Sequence, residues 1–388
     1  MRSDVVAIID TDRLIHNFRA LRACCNEGVK ICAPLKADAY GHAVEIVAPA
    51  LQDAGADFAA VANLQEAVEL RTVGWKRPIL VLGSVLAIGD KAERRHRIGA
   101  IIEHGLVVTI ADAAMVACLS TVAPPSPIEV HLKVDSGMGR LGVMPDEAVE
   151  LVKSIRAVPH LRLTGVYSHF ATADFEQLDL ATHQLEVFSE VLGRIGDYLP
   201  SGVIRHMANS AATITMPDAH LEMVRPGLAL FGYLPSPSMA RDIDLRPALR
   251  VVSYLSAVKN LPPGHCVGYG RTFITERSTR LGIVPIGYCD GYLRTLSNNG
   301  VVSTPVGDAP VIGRISMDQL AIDLTDLPPL SLGAEIGLID FDPCRSNSVA
   351  AMARRLGTIP YEVTCLLGPR IERITAERFQ RFRGDGPV

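Results

Sequence analysis

The stretch VKICAPLK, residues 29–36, is a short, mostly apolar run that ends in a lysine, and it is the first of a series that decides the fold. Before it, apolar residues recur at helical spacing between Leu14 and Leu21. We expect Thr11 to cap this helix and Gly28 to end it. A strand pattern that follows a helix pattern is typical of an α/β protein.

The same alternation continues through the first 230 residues. Short apolar runs occur at residues 29–35, 58–62, 79–82, 106–110, 128–134, 161–167, 203–207 and 221–224. Most are separated by segments with helical spacing, which predicts a parallel sheet. Eight strand candidates over this length predict a closed (β/α)₈ TIM-type barrel.

The pattern changes at the turn-rich stretch LPSPSMARD, residues 234–242. After it come β-type runs at residues 249–258, 281–286, 311–315, 320–324 and 335–339, and a helical pattern near residues 349–356. We therefore predict a barrel domain at residues 9–238 and a mostly β domain at residues 239–388. Residues 1–8 are candidates to join the second domain.

Composition excludes several classes of protein. The 388 residues are 48% hydrophobic and 21% charged, with a net charge of −4, so the chain is neither disordered nor collagen-like. Without a basic tract, nucleic acid is not an expected partner. The longest uncharged stretch, residues 113–128, contains three prolines and is too short for a membrane helix. The first apolar run, residues 5–9, is too short for a signal peptide, so we expect a cytoplasmic protein.

Cysteine and histidine spacing gives no metal or disulfide signature. None of the eight cysteines forms a CxxC pair, and the eleven histidines show no HExxH or HxxxH spacing. We expect reduced thiols and no metal site.

Polar residues follow the predicted strands where each strand ends, which is where (β/α)₈ barrels place their active sites. They are Lys36, Tyr40, His42, Lys133, Asp135, Arg140, His169, Asn209, Ser210, Arg225 and Gly227. Such a set suits a polar, anionic ligand. A lysine with a lowered pKa at this place could form a Schiff base, although position by itself favours an ordinary surface lysine.

The segment APLKADAYGH, residues 33–42, resembles the motif in which alanine racemases hold pyridoxal 5′-phosphate (PLP) on a lysine. Eight further blocks resemble the same family in the same order: HLKVDSGMGRLG (131–142), GVYSHFATAD (165–174), HMANSAA (206–212), VRPGLALFGY (224–233), VGYGRTF (267–273), PIGYCDGYLR (285–294), GRISMDQ (313–319) and GTIPYE (357–362). The resemblance therefore covers nearly the whole chain. It implies a PLP-binding barrel followed by a β-strand domain.

The resemblance also implies an activity, the interconversion of L-alanine and D-alanine, for peptidoglycan synthesis or alanine catabolism. Lys36 matches the lysine that binds PLP covalently and then acts as one base, and Tyr269 matches the second base. Racemisation removes a proton from one face of Cα and returns one on the other face, for which two bases are the simplest solution. A tyrosine hydroxyl in water ionises only near pH 10, so it needs nearby cations, and Arg140 is a candidate.

The cofactor and substrate residues follow by the same matching. Arg225 matches the arginine at the PLP pyridine nitrogen, and His169 matches the histidine beside the ring. The remaining cofactor-binding matches are Tyr40, Asn209, Ser210, Gly227 and Tyr361. The substrate-binding matches are Arg140, Met317, Asp318 and Tyr288, with Asp174, Arg294, Arg314 and Ile359 along the access corridor.

Two further expectations come from the family. In some members the lysine that matches Lys133 carries a carbamate, and we hypothesise the same here. The family's second domain serves the barrel of a partner subunit, so we expect a homodimer with shared active sites.

Several alternatives stay open at this point. A racemase of broader specificity, or one for serine, differs in pocket size, which sequence does not measure. A PLP-dependent amino-acid decarboxylase shares the architecture, but no Gly-Gly-Gly phosphate loop occurs here. Non-catalytic PLP-binding barrels lack the second domain. The pattern GMGRLG, residues 137–142, resembles a dinucleotide-binding motif, but no acidic residue lies between Glu150 and Asp174 to complete it.

Overall fold

The computed structural model describes residues 3–87, 89–236, 239 and 243–383. These residues form two compact units. The barrel unit contains Ile15–Ala39 and Val47–Leu245, and the β unit contains the chain up to Leu14, Tyr40–Ile46 and the chain from Arg246 onward. The predicted boundary between residues 238 and 239 falls where most of the neighbouring residues lie outside the described part, so it stays a prediction.

The chain begins with strand β1 (Val6–Ile9) and helix α1 (Thr11–Cys24). The backbone N–H of Arg13 donates to Asp10 Oδ1 at 3.1 Å, so Asp10 caps α1. The expectation that Thr11 is the cap was wrong by one residue, because Asp10 offers the stronger acceptor at the preceding position.

Eight parallel strands close into a barrel, which confirms the predicted (β/α)₈ fold. They are β2 (Lys30–Pro34), β3 (Phe58–Val61), β4 (Ile79–Val81), β5 (Val107–Ile110), β6 (Ile128–Lys133), β7 (Leu161–Tyr167), β8 (Ile204–His206) and β9 (Met223–Val224). Most of their residues are buried, as expected for strands covered by helices on the outside.

Helices connect these strands: α2 (Lys36–Gly41), α3 (Val44–Asp53), α4 (Leu64–Thr72), α5 (Lys91–Glu103), α6 (Ala113–Ser120), α7 (Ala148–Arg156), α8 (Asp179–Ile195) and α9 (Ser210–Thr215). Asn63, Asp90 and Asp112 cap α4, α5 and α6 through side-chain oxygens that accept backbone N–H groups. Short 3₁₀ turns lie at Pro145–Glu147, Gly196–Tyr198, Pro217–Ala219 and Leu228–Phe231.

Among its described residues, the β unit contains three sheets. Its strands are β10 (Leu249–Tyr254), β11 (Ala257–Leu261), β12 (Cys266–Val267), β13 (Phe273–Ile274), β14 (Thr279–Val284), β15 (Val301–Thr304), β16 (Gly307–Pro310), β17 (Leu320–Asp323), β18 (Glu335–Ile339) and β19 (Glu372–Thr375). One sheet has the order β16-β15-β18-β10-β1-β19, so β1 is an interior strand of this unit. The other sheets are β11-β14-β17 and β12-β13.

Helices α10 (Val349–Leu356), α11 (Pro360–Cys365) and α12 (Ala376–Arg383) complete the β unit, with 3₁₀ turns at Tyr269–Arg271, Tyr288–Asp290 and Arg294–Leu296. Two β-type runs behave differently from expectation. The run at 249–258 is divided between β10 and β11. The run at 311–315 is not a strand: Gly313 has φ +72°, which turns the chain after a single bridge at Val311.

Candidate active site

A polar layer occupies the carboxyl-terminal end of the barrel interior. Thr109 of β5 hydrogen-bonds Tyr167 Oη of β7 at 2.7 Å, and His131 of β6 lies 2.9 Å from His206 of β8. Because β5 and β7 are not neighbours, and neither are β6 and β8, these side chains meet across the interior. The layer gives the barrel a polar floor beneath its strand ends, where active sites of this fold lie.

Arg225, directly after β9, is buried in this layer and forms no ion pair with a carboxylate in the described part of the chain. Its Nη1 donates to His206 Nδ1, and its Nη2 donates to the carbonyl of Ser168 at 2.8 Å and lies 3.3 Å from His169 Nδ1. Burial lowers the pKa of Arg225 below its ordinary value. A buried guanidinium with only neutral partners is unusual and marks a site for a ligand that accepts its hydrogen bonds or balances its charge.

His169 shows that cations converge at this place. Burial lowers the pKa of His169 well below its ordinary value, and Arg225, Lys133, Arg140 and Lys36 lower it further. Two arginines and two lysines of the barrel unit therefore act on one imidazole. That charge favours an anionic ligand and keeps His169 neutral.

Lys133, the last residue of β6, is 5% exposed, and its Nζ lies 4.6 Å from the centre of the Tyr167 ring. No carboxylate forms an ion pair with it among the described residues. Burial, then Arg225 and Arg140, lower the pKa of Lys133 well below its ordinary value, while Asp135 opposes them. The lowered pKa therefore shifts Lys133 toward its neutral amine form.

Lys36 opens an unusual turn. Ala37, Asp38, Ala39 and Tyr40 all have φ between +51° and +57°, so the α2 segment is left-handed. Left-handed helical residues other than glycine cost about 1–2 kcal/mol each, so the turn stores on the order of 4–8 kcal/mol. Glu66 stabilises it, because its carboxylate accepts the N–H groups of Ala37 and Ala62 at 2.9 and 2.7 Å. Strain of this size at a half-buried lysine is typical of a functional site.

The glycines of GMGRLG shape a loop around Asp135. Its carboxylate accepts the backbone N–H groups of Gly137, Met138, Gly139 and Arg140. Although partial burial acts against them, these four hydrogen bonds lower the pKa of Asp135. A Cβ at Gly142 would come within 2.6 Å of the Asp135 nitrogen, so glycine is required there. The loop holds Arg140 beside the strand ends, and no helix begins at these glycines to bind a dinucleotide.

Asn209, Ser210 and Gly227 lie at two short helical N-termini in the barrel unit. Asn209 caps α9 through Ala212 N–H, and Ser210 Oγ accepts the N–H of Ala229 at 3.2 Å. Gly227 precedes the 3₁₀ turn at Leu228–Phe231. Converging N–H and hydroxyl groups of this kind suit phosphate oxygens.

The β unit carries the other predicted residues. The rings of Tyr40 and Tyr361 lie 5.8 Å apart, and a Cβ at Gly41 would come within 2.1 Å of the Thr364 carbonyl. The structure therefore brings the two predicted phosphate tyrosines together and requires glycine beside them.

Tyr269 lies on a sharp turn and is 70% exposed in the isolated chain. Gly268 and Gly270 on either side have φ +69° and +71°. A Cβ at Gly270 would come within 2.9 Å of Arg314 Nη1, so this guanidinium packs against the turn. Arg314, which the family resemblance assigns to the corridor, is thus a cation that the β unit places beside the Tyr269 turn.

Tyr288, Met317 and Asp318 lie on two loops that are fastened together. The N–H groups of Tyr288 and Cys289 donate to the carbonyls of Ser316 and Met317, each at 3.1 Å. A Cβ at Gly287 would come within 2.2 Å of the Met317 carbonyl, which explains the glycine.

Arg370 joins the same loops. Its Nε donates to Asp290 Oδ1 at 2.9 Å and its Nη1 donates to Asp318 Oδ1 at 2.8 Å. The other oxygen of the buried Asp290 accepts the N–H of Gly287. Sequence reasoning did not single out Asp290 or Arg370, because neither belongs to a local pattern and their pairing spans eighty residues.

Other contributors were also missed. The sequence motifs contain three of these residues, but no role was predicted for them: His131, Tyr167 and His206. The signal that could have found them is their place on β6, β7 and β8, next to strands that end in site residues. Of the corridor residues, Asp174 is partly buried, whereas Arg294, Arg314 and Ile359 are exposed. In the described part of the chain, no three His, Cys, Asp or Glu side chains are grouped as metal ligands, and every helix is too short or too polar to span a bilayer.

Comparison with known proteins decides the family. The sequence profiles of the alanine racemase N-terminal and C-terminal domains match residues 9–235 and 248–375. A curated alanine racemase from Halothermothrix orenii is 37% identical over 369 residues, which cover 95% of each chain. The chain belongs to the alanine racemase family.

Solved structures of alanine racemases have the same fold. The Bacillus anthracis alanine racemase with bound L-Ala-P has a TM-score of 0.89 and 32% identity, covering 97% of this chain and 95% of that one. The Bartonella henselae alanine racemase with covalently bound pyridoxal phosphate has a TM-score of 0.84 and 28% identity, covering 96% and 100%. Alanine racemases are PLP-dependent isomerases, and the family predicted from the nine sequence blocks is confirmed.

Proposed function

We propose that this protein interconverts L-alanine and D-alanine with PLP and two bases, Lys36 and Tyr269. The observation that carries the proposal is the barrel cluster: a buried Arg225 that has no carboxylate partner among the described residues and lies beside neutral histidines, with three more basic side chains acting on His169. Membership of the alanine racemase family supports the choice of substrate.

The residues present fit PLP. Arg225 has guanidinium N–H groups directed at neutral acceptors, which suits the pyridine nitrogen, and because arginine keeps its protons that nitrogen stays unprotonated. Asn209, Ser210, Gly227, Tyr40 and Tyr361 offer hydroxyl and N–H groups for the phosphate. His169, kept neutral by its surroundings, suits the ring. Lys36 supplies the amine for the covalent bond.

When bound, PLP withdraws electrons from the substrate Cα, so that its proton can be removed. Lys36 Nζ holds and moves the proton on one face, and Tyr269 Oη does so on the other. Arg140 and the Met317 N–H, with Asp318 and Tyr288 beside them, bind the substrate carboxylate and fix its orientation. The Asp135 loop and the Arg370 ion pairs keep these groups in place.

We also propose a homodimer in which Tyr269 of one copy serves the barrel of the other. Its 70% exposure supports this, because a base that works in a dry site needs a cover that the β unit does not supply to it. Sedimentation of the purified protein is expected to give a dimer. A fully active monomer would contradict the shared-site arrangement.

Lys133 is proposed to carry a carbamate. Its neutral Nζ adds to CO₂, an N–C bond forms, the nitrogen's proton leaves to water, and an anionic carbamate replaces the amine beside Arg140 and Arg225. ¹³C NMR of protein equilibrated with ¹³CO₂ is expected to show a carbamate signal that Lys133→Ala removes. A wild-type spectrum identical to that of Lys133→Ala would contradict it.

The activity is tested by incubating L-alanine with the purified protein and PLP and separating the enantiomers. D-alanine is expected to accumulate to an equal mixture, with L-serine reacting more slowly. Faster conversion of serine would favour the serine-racemase alternative, and release of CO₂ from any amino acid would favour the decarboxylase. No conversion of any of them would overturn the proposal.

A further inference from the structure

His131 is a buried titratable residue to which the proposed function gives no role. It stands on β6, two residues before Lys133, and is fully buried. Its Nδ1 lies 2.9 Å from His206 Nε2, and its own Nε2 has no hydrogen-bond partner among the described residues. A buried imidazole nitrogen without a partner costs free energy, so the ring is held there for another reason.

The chain of contacts fixes the position of each proton. Arginine only donates hydrogen bonds, so His206 Nδ1 accepts from Arg225. A neutral imidazole carries one proton, which His206 must then carry on Nε2 and donate to His131 Nδ1. His131 in turn carries its proton on Nε2. Burial, with Arg225 nearby, lowers the pKa of His131 to about 3 and that of His206 well below its ordinary value, so both rings are neutral.

The barrel makes room for this ring. A Cβ at Gly165 on the neighbouring β7 would come within 2.5 Å of the His131 imidazole. The register of β6 against β7 also shifts between Val130 and His131. His206 is held from its other side, because the Tyr167 ring stacks on it at 4.8 Å and an interplanar angle of 3°.

We infer that His131 is a positioning residue: it holds His206 in the Nε2–H tautomer, so that His206 Nδ1 accepts from Arg225 and orients the guanidinium. The ring acts through His206 and does not contact the ligand. The orientation of Arg225 toward PLP rests on the proposed function, whereas the tautomer is a property of this chain.

Two substitutions separate this role from space filling. His131→Asn places an amide oxygen near the position of Nδ1 and keeps an acceptor for His206. His131→Leu fills similar volume without an acceptor. Long-range ¹⁵N NMR of the full-length, histidine-labelled protein, with and without PLP, reads the protonated nitrogen of His206 directly, and loss of signals in His131→Asn and His206→Asn assigns the two rings.

The expected results differ for each protein. Wild type and His131→Asn show His206 protonated on Nε2, whereas His131→Leu shows a mixture of tautomers and binds PLP roughly fivefold more weakly. Two results overturn the inference: a wild-type His206 protonated on Nδ1, or a His131→Leu protein with the wild-type tautomer and PLP affinity. The wild-type spectrum is informative even if the leucine variant does not fold. A wild type with the expected tautomer but no affinity for PLP would sink the proposed function and leave the tautomer assignment standing.

Discussion

The site residues of the barrel unit and those of the β unit are held in opposite ways. Lys133, His206 and Arg225 are at most 5% exposed and are fixed by contacts between side chains across the barrel. Tyr269 and Met317 are 70% and 51% exposed and are fixed by the backbone of the turns that carry them. In the barrel, burial sets the protonation state of a group. In the β unit, glycine-dependent turns set only its position.

This difference has a consequence for substitutions. A buried group contributes to folding and to chemistry together, so changing it alters both. An exposed group on a rigid turn contributes to chemistry with little effect on the free energy of unfolding. The difference between the barrel unit and the β unit is therefore tested by measuring activity and stability on the same variants.

Lys36→Ala is expected to have the largest effect. It removes both the covalent attachment of PLP and one base, so kcat for alanine falls by about 10⁴-fold or more. Borohydride reduction of wild type followed by peptide mapping is expected to place the reduced cofactor on Lys36. Lys30→Ala, at the other end of β2, is the matched control and keeps wild-type activity. Cofactor trapped on a different lysine would show that Lys36 is misassigned.

Tyr269→Phe is expected to lower kcat by about 10²- to 10³-fold, with a change in the free energy of unfolding of no more than about 0.5 kcal/mol. The rate of Cα proton removal should decrease more for L-alanine than for D-alanine. Tyr254→Phe is the control, because the Tyr254 hydroxyl lies on the same unit and donates a hydrogen bond to Asp4. Equal losses for both enantiomers would contradict the assignment of faces, and a large loss of stability would break the comparison.

Arg370→Ala is expected to raise the KM for alanine roughly tenfold, because Asp318 and the Tyr288 loop lose their common partner. Arg370 is about half exposed, so solvent screens its ion pairs and the loss of stability is expected to be small. Arg370→Lys keeps the charge but not the forked geometry, so its KM should lie between those of wild type and Arg370→Ala. An unchanged KM in Arg370→Ala would show that the loops hold their positions without the ion pairs.

The smallest expected effect is on stability at low pH. Burial lowers the pKa of His131 to about 3 in the folded protein, against about 6.5 in an unfolded chain. As the pH falls, His131 therefore takes up a proton in the unfolded chain before it does so in the folded protein. The contribution of neutral His131 to the free energy of unfolding is complete above about pH 6.5 and is lost as the pH falls toward 3. The unfolding midpoint of wild type should fall more steeply between pH 7 and pH 5 than that of His131→Asn. Parallel curves would mean that His131 is already protonated in the fold, or is accessible.

Most of the fold could be predicted from local sequence patterns. The apolar run at residues 161–167 and the run at 335–339 coincide with β7 and β18, because a buried strand needs such a run wherever it stands. The hairpin of β15 and β16 was not predicted, because Gly307 and Pro310 interrupt its pattern. The run at 311–315 was wrongly predicted to be a strand, because the turn at Gly313 depends on backbone geometry, which a hydrophobic pattern does not reveal.

For the site, sequence identified the residues at strand ends but not those that hold them. Lys36 and Arg225 stand out because they follow apolar runs. The left-handed turn after Lys36 was not foreseen, since alanines ordinarily favour right-handed helix. The His131–His206 contact and the Arg370 ion pairs join distant parts of the chain, which only the folded backbone brings together.

The central claim is that two bases act on opposite faces of the substrate Cα. Its most direct test is L-alanine with the enzyme and PLP in D₂O, followed by proton NMR and chiral analysis. The account predicts that the Cα proton disappears while deuterated D-alanine appears. Loss of the Cα proton with no D-alanine would mean that one base works on one face, and it would contradict the role given to Tyr269.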